Sequence, residues 1–86
     1  MEDRWEIYLR IIVLVGRAGR PLREVEDELV RVFGISVSMA RYYMRKMKER
    51  GWIRYSRPYK TSKQIWVEPR RKLINYIMDL KEQYGI

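Results

Sequence analysis

Hydrogen-bond donors and positive charge are crowded into about one third of this 86-residue sequence. Residues 41–72 contain 12 of the 19 Lys and Arg residues but only two of the 11 acids, so the formal net charge of +8 arises from this segment. Guanidinium and ammonium groups at this density bind phosphates or other acidic partners. We therefore expect a surface that binds a polyanion. The candidate contact residues are Ser36, Ser38, Arg41, Tyr42, Arg45, Lys46, Arg57, Lys60, Thr61 and Lys63.

The sequence lacks the residues that most enzymes and metal centres need. Cys and His are both absent, which removes disulfides, zinc fingers, thiol nucleophiles and histidine general bases. A nuclease needs clustered carboxylates beside the basic segment, and only Glu49 and Glu68 lie there. The four acids within residues 24–28 fall near the start of a predicted helix, where the helix dipole favours negative charge. We expect no enzymatic activity, no metal site and no cofactor.

The elements that must position the donors are predicted to be four helices and one hairpin. Glycines and prolines divide the sequence, and the apolar residues between them recur at helical or strand spacing. We predict a mainly α-helical α+β fold with a small β-hairpin, forming a single domain over residues 1–86. The predicted helices cover residues 3–16, 21–33, 36–50 and 70–84, and the predicted hairpin covers 52–68.

The third predicted helix presents its donors on one face. Its predicted buried stripe recurs at i, i+3, i+4 and i+7 and comprises Ala40, Tyr43, Met44 and Met47. The donors of this helix fall on the remaining surface, and either Ser36 or Ser38 can cap its start. A short turn containing Gly34 joins it to the second helix, which is the helix-turn-helix arrangement.

The stretch GISVSMARYYMRKMKERGWIRY, residues 34–55, resembles the turn, recognition helix and first wing strand of winged helix-turn-helix DNA-binding domains. Residues 57–63, RPYKTSK, resemble the wing tip, and residues 64–67, QIWV, resemble the return strand. The resemblance covers nearly the whole chain. It implies a sequence-specific regulator that binds double-stranded DNA, with the recognition helix in the major groove and the wing on the backbone or minor groove. The helix residues that it places against DNA are Ser38, Arg41, Tyr42 and Arg45.

Small archaeal or viral regulators are similar to this sequence. Thirteen Arg residues and only three Asn or Gln residues favour a thermophilic source. The longest apolar run, residues 11–15, is too short to span a bilayer. The acidic N-terminus is unlike a targeting peptide. We therefore expect a cytoplasmic, nucleoid-associated protein, and the sequence identifies no small-molecule effector.

The first and last predicted helices carry more apolar surface than one small domain needs. The first is apolar on two faces, and the last carries Ile74 and Met78 beside its main stripe. We therefore predict a homodimer, which would place two recognition helices about 34 Å apart on a palindromic DNA site. The predicted interface residues are Trp5, Ile12, Leu73, Ile77 and Tyr84.

Two other kinds of partner fit the sequence. Aromatic rings interleave with the basic residues and could stack on the bases of RNA or single-stranded nucleic acid, although we favour a packing role for most of them. These rings belong to Tyr42, Tyr43, Tyr55, Tyr59 and Trp66. The basic surface would also fit an acidic protein, since some winged helices bind proteins.

Overall fold

Four helices and a three-stranded sheet follow one another in the order α1-β1-α2-α3-β2-β3-α4. The computed structural model describes residues 4–58 and 63–85. The helices are α1 (Trp5–Val15), α2 (Leu22–Phe33), α3 (Val37–Glu49) and α4 (Arg71–Tyr84). The strands are β1 (Arg20–Pro21), β2 (Ile53–Ser56) and β3 (Trp66–Pro69). The fold is mainly α-helical with a small antiparallel sheet, as predicted.

Only one side of α1, which is apolar on two faces, is fully buried. Ile7, Ile11 and Val15 are the buried residues of this helix. Trp5 and Leu9, which begin the other apolar stripe, are exposed. Both faces are apolar in the sequence, so only the contacts of α1 with α2, α3 and β3 select the buried one.

The turn between α2 and α3 is set by one glycine and one serine. Gly34 adopts the left-handed conformation, with φ of 64°, and its N–H donates to the Val30 carbonyl at 3.0 Å. The Ser36 hydroxyl oxygen accepts a hydrogen bond from the Met39 N–H at 3.1 Å, so Ser36 caps α3 and Ser38 does not. The predicted stripe is the buried face of α3, formed by Ala40, Tyr43, Met44 and Met47.

The sheet contains a strand, β1, that the residue pattern does not predict. Its order is β1-β3-β2 with antiparallel pairing throughout. Arg20 pairs with Val67 across β1 and β3, and Ile53 pairs with Pro69 across β2 and β3. Pro21 was predicted to be the first residue of the second helix; it ends β1 and is the N-cap residue of α2. A strand of two residues is too short to show alternating apolar and polar positions. β1 is recognised only from its pairing with β3 in the folded chain.

One cluster of buried side chains forms the core, drawn from every helix and from β2 and β3. Its members are Ile7, Ile11, Val15, Val25, Leu29, Ala40, Tyr43, Met44, Met47, Ile53, Val67 and Leu73. α4 contributes only Leu73 to this cluster. Most of α4 therefore lies on the surface, where Met78 and Tyr84 are exposed. Every helix among the described residues is too short or too polar to span a bilayer.

Candidate nucleic-acid interface

The outward face of α3 carries polar and charged side chains. Ser38, Arg41 and Arg45 are exposed, while Tyr42 and Lys46 are partly buried. Because an α-helix turns 100° per residue, Ser38, Tyr42 and Arg45 lie opposite the buried stripe. Arg41 and Lys46 lie on either side of this outward face, so the five predicted donors of the helix do not all share it.

Two adjacent tyrosines on α3 have different environments. Tyr43 is buried and packs edge-on against Tyr8, with ring centroids 5.3 Å apart. Tyr42 packs edge-on against Tyr43 at 5.4 Å and keeps part of its surface exposed. The ammonium nitrogen of Lys46 lies 5.5 Å from the centroid of the Tyr42 ring. Tyr42 is thus the tyrosine available to a partner, and Tyr43 belongs to the core.

A crevice of about 340 Å³ runs along one flank of α3. Arg41, Arg45 and Lys48 line it at positions i, i+4 and i+7. The opposite wall is formed by Glu26 on α2 and Tyr55 on β2. Arg41 Nε lies 3.2 Å from Glu26 Oε2, and Lys48 Nζ lies 4.7 Å from the centroid of the Tyr55 ring. Three cations of α3 therefore converge with one carboxylate and one phenol.

The phenol of Tyr55 remains neutral in this crevice. Burial raises the pKa of the Tyr55 hydroxyl above its usual value, and the nearby Glu26 charge raises it further, while Arg45 acts in the opposite direction. A neutral phenol can donate one hydrogen bond and accept others. Tyr55 can therefore serve as a polar contact beside the cations without adding negative charge.

A wider cleft of about 760 Å³ separates α2 and α3 from residues 63–65. Its polar lining consists of three basic residues, two acids and one amide, which are Arg23, Arg41, Lys63, Glu26, Asp27 and Gln64. Lys63 was predicted from the sequence as part of the basic hairpin tip. The cleft brings it to the same side of the molecule as the flank of α3, although it is 22 residues from Arg41.

One of the hairpin's positive charges is neutralised within the hairpin itself. The Arg54 guanidinium donates to Glu68 Oε2 at 2.8 Å, and the Ser56 hydroxyl donates to the same carboxylate. The hydrogen bond from Ser56, together with Arg54, holds the pKa of Glu68 below its usual range. The carboxylate therefore stays ionised and ties β2 to β3.

The predicted donors of the hairpin are only partly covered by the structure. Arg57 and Lys63 are exposed. Lys60 and Thr61 lie outside the described residues, so their predicted roles remain predictions.

Several residues of this surface were not predicted from the sequence. They are Arg23, Glu26, Lys48 and Gln64, while Tyr55 was named only as a ring that could stack on single-stranded bases. Lys48 continues the spacing of Arg41 and Arg45, so helical periodicity alone could have identified it. Glu26 and Tyr55 carry no such signal, because they join the site only when α2 and β2 pack beside α3.

The arrangement of three helices and a hairpin is shared with a protein of known structure. The transcriptional regulator SlyA matches at a TM-score of 0.60 and 15% sequence identity, over 92% of this chain and 54% of SlyA. The chain has the winged helix-turn-helix fold. It spans about half the length of SlyA. No protein-family model matches the sequence, and no curated protein matches it significantly.

In this fold α3 is the second helix of the helix-turn-helix, the element called the recognition helix, and β2 and β3 belong to the wing. The Glu68 carboxylate lies in the wing, and the crevice that holds Glu26 lies between the recognition helix and the wing. The described part of the chain contains no group of three or more Asp and Glu residues that could hold a metal ion.

The predicted dimer residues differ in exposure. Trp5 and Tyr84 are exposed, at 69% and 66% of their surface, and Ile12 and Ile77 are partly buried against the core. Leu73 is fully buried by its own chain, because the first turn of α4 packs onto the core. Its side chain is not available to a second subunit, so Leu73 is removed from the predicted interface.

Proposed function

We propose that this protein binds double-stranded DNA in a sequence-specific manner and acts as a transcriptional regulator. The observation that carries this proposal is the convergence of exposed cations on the recognition helix and beside the wing. Arg41, Arg45 and Lys48 lie along one flank of α3. Lys63, on the hairpin, lines the wider cleft beside α2 and α3, which Arg41 also lines. The major groove is about 12 Å wide and admits one helix, and this helix carries long donors on its accessible face.

The division of labour among these donors follows from their positions. Side chains near the start and middle of a recognition helix contact base edges, while surrounding cations contact phosphates. Ser38, Tyr42 and Arg45 are therefore proposed to face bases. Arg57 and Lys63 on the wing are proposed to contact the backbone or the minor groove, together with Lys60 and Thr61.

The aromatic residues favour duplex DNA over single-stranded nucleic acid as the partner. Stacking on bases requires exposed ring faces. Tyr43 is buried, and Tyr55 and Tyr42 each lie beside a lysine ammonium group. Packing therefore occupies much of the ring surface that a single strand would need.

We also propose that the protein binds DNA as a homodimer. α1 leaves a stripe at i, i+4 and i+8 exposed, formed by Trp5, Leu9 and Val13. Val13 is 71% exposed, and Tyr84 lies at the exposed end of α4. Contact with a second copy would bury these side chains. Each Å² of apolar surface removed from water would stabilise the dimer by about 25 cal/mol.

A binding titration with labelled DNA tests the proposed function. Duplex fragments are selected from a random library with the intact protein, and fluorescence anisotropy then measures affinity at several salt concentrations. If six to ten phosphates are neutralised, affinity should fall about 10³- to 10⁵-fold between about 50 and 200 mM salt. Binding that is independent of salt, or that prefers the single strands of the same sequence, would contradict the proposal. Failure to bind any nucleic acid at low salt would instead favour an acidic protein as the partner.

A further inference from the structure

An acidic side chain of α2 lies inside the basic surface and holds one of its arginines. Glu26 Oε2 accepts a hydrogen bond from Arg41 Nε at 3.2 Å. The Glu26 side chain is only 13% exposed, whereas that of Arg41 is 68% exposed. A carboxylate at this place lowers the positive potential that attracts phosphates. Any contribution of Glu26 to specific binding therefore acts through its contact with Arg41.

The contact with Glu26 uses Nε of Arg41 and leaves the two terminal guanidinium nitrogens available to a partner. A guanidinium group is a planar fork with five N–H donors, of which Nε carries one. Because Nε points to Glu26, the four N–H groups of the two terminal nitrogens are left to face a partner. Fixing the group before binding reduces the side-chain entropy lost when those donors engage.

The place of Arg41 on α3 favours a base rather than a phosphate. Arg41 is the fifth residue of the helix that begins at Val37, and residues near the start of a recognition helix contact base edges. Two parallel donors match the O6 and N7 acceptors of guanine in the major groove. Arg45 and Lys48, the other two cations that line the crevice beside α3, form no ion pair with an acid among the described residues.

We propose that Glu26 is a positioning residue that makes Arg41 a reader of guanine. This inference deepens the proposed DNA-binding function and rests on it. Glu26 does not contact the DNA itself. It sets the orientation of the Arg41 guanidinium. The Glu26 charge weakens the general attraction of this surface for phosphate, and the fixed guanidinium strengthens the preference for one base.

The test compares base preference in variants of the intact protein. Sequences are selected from a random duplex library with the wild type, and Arg41→Ala then identifies the guanine position, since alanine has no donor for the bidentate contact. We expect a preference of about 5- to 150-fold for guanine at that position in the wild type, and its loss in Arg41→Ala. Glu26→Gln should weaken the preference at the same position at least several-fold, while affinity for random duplex DNA stays the same or rises.

A matched control is available on the same helix. Glu24 is an exposed acid of α2 whose carboxylate lies 3.9 Å from Arg20, and it lines neither of the two clefts that contain Arg41. Glu24→Gln removes the same charge and should leave the guanine preference unchanged. Glu26→Asp keeps the charge but shortens the side chain, so it should give a preference between those of wild type and Glu26→Gln. Thermal unfolding of each variant identifies any that fails to fold, and Glu26→Asp then carries the comparison.

The two possible failures are distinguishable. If the wild type does not bind duplex DNA, the proposed function fails. If the wild type binds specifically but Glu26→Gln and Glu24→Gln have equal effects on the guanine preference, only this inference is overturned. An equal loss of affinity on every sequence in Arg41→Ala would assign Arg41 to a phosphate and would also overturn it.

Discussion

Gly19 lies so close to Val67 that a β-carbon on Gly19 would be 2.8 Å from the Val67 carbonyl oxygen. The next residue, Arg20, is paired with Val67 in the sheet. This approach joins the loop after α1 to the central strand of the sheet. The central strand β3 contacts β1, α1 and α4, and β2 contacts α3, so the hairpin is packed against the helices.

Gly19→Ala should destabilise the protein more than Gly34→Ala. Both glycines have positive φ, at 81° and 64°, so alanine is strained at either position. That strain costs about 1–2 kcal/mol. A methyl group at Gly34 meets no atom within 4 Å, whereas at Gly19 it collides with backbone. Urea denaturation of the two variants measures the difference, and equal losses would mean that the contact with β3 relaxes freely.

Ser36→Ala should lower stability by about 1 kcal/mol, because it removes the N-cap hydrogen bond to Met39. Ser38→Ala should change stability by less than about 0.5 kcal/mol, since Ser38 is exposed on α3. Chemical denaturation checks both values. The same pair of variants in a DNA-binding assay should give the opposite order, with the larger loss of affinity in Ser38→Ala.

Glu68→Gln should destabilise the wing at neutral pH but not in acid. The Glu68 pKa is lowered by its contacts with Ser56 and Arg54, so its carboxylate stabilises the fold above its unfolded pKa of about 4.3. That contribution is lost as pH falls through the folded pKa. The variant should therefore lose about 0.5–1.5 kcal/mol at neutral pH, and the difference from wild type should shrink below about pH 4.

Unfolding curves at several pH values measure this effect. Glu82→Gln is the control, because Glu82 is an exposed acid on α4 and the substitution makes the same change in charge. A difference between wild type and Glu68→Gln that stays constant down to acid pH would contradict the proposed cause.

Arg45→Ala and Lys63→Ala should weaken DNA binding in different ways. Arg45 lies on the outward face of the recognition helix, so its loss should cost about 1–3 kcal/mol on the preferred site and relax base preference. Lys63 lies beside the wing, so its loss should weaken binding on all sequences alike and reduce the salt dependence by about one charge. Competition between the selected site and random duplex DNA distinguishes the two patterns. If both variants lost the same affinity on every sequence, the proposed difference between a base contact at Arg45 and a phosphate contact at Lys63 would be wrong.

Val13→Ser and Trp5→Ser should shift the proposed dimer toward monomer, because both side chains are mainly exposed on α1. Analytical ultracentrifugation at micromolar concentration measures this shift. Val37→Ser is the control, since Val37 is an exposed apolar residue at the start of α3, away from the proposed interface. A wild-type protein that sediments as a monomer would remove the dimer while leaving DNA binding intact.

The sequence by itself determined the helices and the outward face of α3. Apolar residues at i, i+3, i+4 and i+7 assign the core side of a helix whatever lies opposite. Gly34 and Ser36 then mark the end of α2 and the start of α3 through local backbone bonds. These signals act over a few residues, so they can be found without the tertiary structure.

Only the tertiary structure decided how distant elements meet. Both faces of α1 carry apolar residues, and packing against the other elements buries Ile7 rather than Trp5. The pairing of Glu26 with Arg41 joins residues 15 positions apart on different helices. Such contacts depend on the angles and distances between packed elements, which local residue spacing does not encode.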